Sequence, residues 1–210
     1  MMITEQQIKE LEQRHLAGFK GIWRNYTKDK LYKGLKYPVI VSLIFTLFFA
    51  IFNEDIFEII KNLASLTLSV IPNLLGFLLG GYAIIIGFGN VDLLKSTTRT
   101  SENKPVSLFQ AMSSIFAFCI LAQAGSLIIA TIYSLFTSLN LNNIECLNVL
   151  IPYYRTFNIF WLFLMIFALL YSIFLLPVML INVFNFAQAY HLRLTIERIK
   201  EEQKKSDNKV

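Results

Sequence analysis

From Tyr37 onward the chain alternates long, uncharged apolar blocks with polar connections; the blocks lie at residues 37–53, 72–90, 107–139 and 157–190. A helix needs roughly 17 to 25 residues to cross a hydrocarbon layer, and none of these blocks has the strict apolar-polar alternation of a barrel strand. They predict four transmembrane helices. Ahead of the first, residues 4–24 open on Thr4-Glu5-Gln6-Gln7, a capping-box pattern, and then place Ile8, Leu11, His15, Phe19 and Ile22 along one face, with Trp23 beside it. This is an amphipathic, interfacial helix within a basic arm spanning 1–36. After the last block the tail, 191–210, continues as a charged helix in which Leu192, Ile196 and Ile199 make a short apolar seam beside Arg193 and its Glu and Lys neighbours.

The second block contains a proline, five glycines and two asparagines, yet its small and polar residues are ordered. Ser65, Ser69, Asn73, Gly76, Gly80, Ala83, Gly87 and Asn90 recur every three or four positions, which is one helical face. Lipid tails are as apolar as leucine, so helices in a membrane associate through close backbone approach and interhelical hydrogen bonds, and small residues permit both. The stripe predicts a packing seam, whether within the chain, between subunits or along a pore. The third block offers a complementary stripe in Cys119, Ala122, Ser126, Ala130, Ser134 and Thr137, where Gln123 would seek a hydrogen-bond partner.

Length arithmetic adds a further expectation. From Asp55 to Asn90 there are 36 residues, which as one straight helix would reach roughly 54 Å against a hydrocarbon core of about 30 Å. Proline lacks a backbone donor and sits best in a first helical turn. Pro72 therefore predicts a break near Val70–Asn73, with 55–70 as an outer interfacial helix carrying Ile56, Ile59, Leu63, Leu66 and Val70 on its apolar face; the alternative is a span kinked at Pro72. The third and fourth blocks also overshoot the bilayer, so Phe116 and Phe118 should enter a juxtamembrane collar with Val183, Phe186 and Tyr190 as neighbours.

Composition agrees with membrane insertion: 55% of residues are hydrophobic and 16% charged. Charge then sets the orientation. Of the 19 Lys and Arg, only Lys61 and Arg155 fall on the side that holds Glu54, Asp55, Glu58 and Glu145. By the preference of Lys and Arg for untranslocated loops, both termini are expected in the cytoplasm. The basic ends face an anionic leaflet, which makes direct nucleic-acid binding an unneeded explanation of a net charge of +5.

No Asp, Glu, Lys, Arg or His falls within the four apolar blocks, so proton relays and ion-pair substrate sites lack their usual residues. No cluster suits catalysis, and Cys119 and Cys146 lack the neighbours of a metal site. No enzyme, cofactor or metal is expected.

About 200 residues, four helices, basic cytoplasmic ends and no catalytic residues together resemble the small four-span membrane subunits of bacterial anti-phage systems, especially the KwaA subunits of the Kiwa system. PNLLGFLLGGYAIIIGFGN is the most distinctive stretch of that layout. The resemblance implies a bacterial inner-membrane oligomer that detects phage-induced disturbance and works with a cytoplasmic, DNA-binding partner protein.

The expectation is thus an all-α, integral membrane four-helix bundle, 37–190, with a cytoplasmic amphipathic N-terminal helix and an extended C-terminal helix. It would oligomerise through Ser69, Asn73, Gly76, Gly80, Ala83, Gly87, Ser126 and Ala130. Phe19, Trp23, Arg193, Ile196 and Ile199 would meet the membrane surface or a soluble cytoplasmic protein. The alternative function is an oligomeric pore with a neutral lining of Asn73, Gln123 and Ser126.

Overall fold

A computed structural model describes residues 18–26, 28–87, 98, 106–138 and 154–207. Among the described residues the chain is all-helical, with α1 at Gly18–Asn25, α2 at Lys28–Phe52, α3 at Ile56–Gly87, α4 at Leu108–Ser138 and α5 at Tyr154–Asp207. Four of them, α2 to α5, are long and apolar enough to cross a membrane. The protein is a multi-pass membrane protein. The capping-box residues Thr4–Gln7, and with them His15, Asn90 and Cys146, lie outside the described residues.

Local chemistry sets several helix ends. Asp55 Oδ1 accepts from the backbone N–H of Glu58 at 3.1 Å and so caps α3. Ser107 and Gln110 form a reciprocal box on α4: the Gln110 N–H donates to Ser107 Oγ at 3.2 Å, and the Ser107 N–H to Gln110 Oε1 at 3.1 Å. At the start of α1, Gly18 takes φ +65°, a conformation that glycine adopts without steric cost.

The expected break at Pro72 is absent. α3 runs unbroken from Ile56 to Gly87, and no separate outer helix occupies 55–70. The buried residues Ile56, Ile60, Ala64, Thr67, Ile71 and Leu78 lie on both sides of the proline, so packing holds the two halves in one helix. Pro72 itself is exposed, with its ring away from that interface. At the next residue, Asn73 Nδ2 donates one turn back to the Ser69 carbonyl at 3.0 Å. In a similar way α5 passes through Pro177 and across residue 190 without interruption.

α5 packs against α2, α3 and α4, while α4 also receives α3 and α1. Two apolar clusters result. One joins Ile56, Ile60 and Ala64 of α3 to Ala130 and Tyr133 of α4 and to Leu162, Met165 and Ile166 of α5. The other, nearer the lysine-rich start of α2, holds Tyr26, Leu78, Met112, Phe116, Phe118, Cys119, Tyr171 and Met179. Val183 and Phe186 pack against this second cluster as expected, whereas Tyr190 is exposed.

Setting a hydrocarbon layer of about 30 Å, or about 20 helical residues, down from the acidic end defines the opposite boundary. Measured from Phe52, Ile56, Ser138 and Tyr154, that boundary falls near Tyr32, Gly76, Phe118 and Phe174, one level on four helices. Tyr32 and Tyr37 are exposed close to it, as befits aromatic residues at a membrane interface. The remainder of α3, α4 and α5 extends further toward the basic end, and α3 stays apolar through Gly87, LLGGYAIIIG.

Candidate functional site

The small-residue stripe of α3 points outward. Ser65, Ser69, Asn73, Gly76, Gly80, Ala83 and Gly87 are all exposed, on the opposite side from the buried Ile60, Thr67 and Ile71. A methyl group added at Gly76, Gly80, Gly81 or Gly87 would meet no atom within 4 Å. Among the described residues, the seam from Asn73 to Gly87 meets no other helix. Toward the basic end of α3 it is flanked by apolar side chains in the open, with Phe77 71% and Ile84 59% exposed.

The stripe on α4 has a different role. Ala130 is fully buried in the cluster with α5. Ser126 Oγ donates to the Ala168 carbonyl at 2.8 Å or shares a 2.6 Å hydrogen bond with Ser172 Oγ, so Ser126 ties α4 to α5. The two stripes come together where Ser65 and Ser69 of α3 line a groove of ≈ 460 Å³ with Lys61 and with Tyr133, Ser134 and Thr137 of α4. Lys61 is 3.7 Å from Glu58, an exposed pair of little energetic weight.

Gln123, expected to find a partner in the seam, has none among the described residues. It is fully buried, and neither its Oε1 nor its Nε2 makes a hydrogen bond. The three residues of the neutral pore lining are also divided: Gln123 and Ser126 face the interior while Asn73 faces outward, so one chain does not bring them to a common surface. Leaving a buried polar group unsatisfied costs about 1 to 3 kcal/mol. Gln123→Leu, close in volume and without polar atoms, is accordingly expected to raise the thermal midpoint in detergent. A lowered midpoint would show that the amide is paired in the assembled protein.

At the basic end, α1 folds back against α4. Phe118 stacks on Tyr26 with centroids 4.3 Å apart and meets Trp23 edge-on at 5.9 Å. Phe19 and Trp23 remain 66% and 55% exposed on the flank of that contact. A polar cavity of ≈ 410 Å³ between α1, α3 and α4 is lined by Asn25, Tyr82, Gln110, Ser113 and Ser114, and in it Asn25 Oδ1 and Ser113 Oγ lack partners among the described residues. Tyr82, Gln110, Ser113 and Ser114 carried no site expectation from the sequence; the signal available was Ser107-x-x-Gln110, which starts α4 and fixes its first turn beside α1.

The tail of α5 leaves the clusters behind. Arg193 Nε donates to Glu197 Oε1 at 3.0 Å, and Arg198 lies 3.8 Å from Glu202. Leu192, Ile196 and Ile199 are exposed. Arg193 is thus engaged along its own helix, and the apolar seam is open.

No family model matches this chain, and no similar protein of known function and no similar solved structure was found.

Proposed function

We propose that the chain is the membrane-embedded sensor or anchoring subunit of a multiprotein assembly, oligomerising through α3 and engaging a soluble protein at its basic end. The observation that carries the reading is the outward stripe Ser69–Asn73–Gly76–Gly80–Ala83–Gly87 with exposed Phe77, Leu79, Ile84 and Ile86 around it. Small residues in the lipid layer invite a second helix by close approach. Leaving the stripe against lipid forgoes that close contact, so the surface favours assembly within the membrane.

The distribution of Lys and Arg supports a placement with both termini in the cytoplasm, and the bacterial inner membrane is what the resemblance to anti-phage subunits implies. The exposed seam of Leu192, Ile196 and Ile199, carried away from the bilayer by a single long helix, supports a soluble partner there. The resemblance to four-span anti-phage subunits supplies the setting, a defence assembly.

Two experiments test it. A membrane-impermeant label applied to intact cells should leave tags at either terminus unmodified while reacting at a cysteine placed at Glu54; reaction at the amino terminus would overturn the orientation. Purification of the full chain should bring down a soluble protein in fixed ratio, and a chain ending at residue 190 should lose it. Equal recovery with both chains would remove the tail from the contact.

A further inference from the structure

An apolar groove of ≈ 310 Å³ opens beside α1, lined by Phe19, Ile22 and Trp23 of α1, Phe118 and Leu121 of α4 and Tyr171 of α5. Its volume is at the small end of ligand pockets, roughly 300 to 1,000 Å³, and suits a single slender apolar chain better than a compact ring system. Its depth is informative. Phe118 lies at the level where the 30 Å layer ends, and Tyr26, stacked on it, is two residues from the Lys28-Asp29-Lys30 run.

α1 presents three faces around its circumference. Gly21 is buried and Ile22 and Asn25 are half-buried against the bundle, and Phe19 and Trp23 border the groove. Lys20 and Arg24, each one residue further and so about 100° around the helix, are exposed. Apolar side chains at the acyl boundary with cations beside them at headgroup height are the arrangement of a helix lying in an anionic leaflet.

We infer that this groove is a binding site for an anionic phospholipid: one acyl chain lies along Phe19, Trp23, Phe118 and Tyr171, and the phosphate group is held by Lys20 and Arg24. The inference rests on the placement of the basic end at a membrane face and is independent of oligomerisation or a soluble partner. Its consequence is that α1 docks on α4 more firmly in an anionic membrane than in a neutral one, which couples leaflet composition to the basic end of the protein.

The test uses Trp23 as its own probe. The chain has two tryptophans, and Trp161→Phe leaves only Trp23. This full-length variant is reconstituted in phosphatidylcholine vesicles with a fixed minor fraction of phosphatidylglycerol, and bromine is carried on the acyl chains of one lipid or the other at equal mole fraction. Because the vesicles have the same lipid on both faces, the outcome does not depend on orientation, and a failure here leaves the proposed topology standing. Two cations near an anionic surface give roughly a 30-fold local preference, so brominated phosphatidylglycerol is expected to quench Trp23 several-fold more than brominated phosphatidylcholine. Lys20→Gln with Arg24→Gln should bring the two to equality, whereas Lys20→Arg with Arg24→Lys, which keeps both charges, should leave the preference in place. Equal quenching with the cations present would mean ordinary boundary lipid and would overturn the site; so would the absence of quenching by either, which would mean that protein fills the groove.

Discussion

Gly80→Leu is expected to remove crosslinked oligomers from membranes that still contain the folded chain, while Leu79→Ala leaves most of them. The expectation follows from two scales. Among the described residues a Cβ added at position 80 meets nothing within 4 Å, and replacing a mid-helix glycine gains about 0.8 to 1 kcal/mol of helix propensity. The subunit itself should therefore melt no lower than the parent. Between copies, the same substitution fills the surface along which two backbones would approach, where inserting extra methylenes costs about 1 to 3 kcal/mol in a well-packed contact. In an assembly of several copies that cost recurs at each interface. Leu79 is exposed on α3 next to the stripe, and shortening it removes contact area without separating the backbones. Chemical crosslinking of intact membranes followed by denaturing electrophoresis reads both variants, with thermal melting in detergent as the control. Undiminished oligomers with Gly80→Leu would mean that the stripe faces lipid and not another subunit.

The second large effect concerns α1. Phe118→Ala should detach α1 from the bundle and leave α2 to α5 in place. Truncating a buried phenylalanine costs about 3 to 5 kcal/mol, and this ring also makes aromatic contacts with Trp23, Tyr26 and Tyr171, each worth about 0.5 to 1.5 kcal/mol beyond area. These figures overlap and are not summed. Even about 3 kcal/mol, at roughly tenfold per 1.4 kcal/mol, raises the open population of α1 by about 100-fold. Trypsin cleavage at Lys20 and Arg24 should accelerate by a comparable factor in detergent. An unchanged cleavage rate would place the hold on α1 elsewhere, in Tyr26 against Gly34 and Leu35 or in the polar cavity around Asn25.

The proline in α3 illustrates why a local rule misjudged a helix. Residues 55–90 looked too long to cross the bilayer straight, and Pro72 offered the place to divide them. The chain tolerates the missing donor because the buried row from Ile56 to Leu78 continues past it, and because Pro72 itself faces outward. The excess length is carried within one continuous helix, and α4 and α5 are likewise longer than a single crossing needs. Phe116 and Phe118 were legible as members of such a collar because aromatic residues so near a polar connection need cover. The membership of Tyr26, by contrast, depends on α1 folding back, which no residue spacing announces.

The amino-acid sequence by itself determined the four apolar helices, the separation of cations from the acidic end and the alignment of small residues on one face of α3. Backbone groups in hydrocarbon must be satisfied within the helix, so uncharged length suffices to name a span, and residues three and four apart share a face whatever surrounds them. Only the tertiary structure decided that this face looks outward, that Ser126 bonds Ala168 and Ser172 rather than α3, and that Gln123 is buried without a partner. The reason is that both lipid and protein interior are apolar. A membrane helix has no hydrophilic side to mark its outside, and direction emerges only when α3, α4 and α5 have chosen which surfaces to press together.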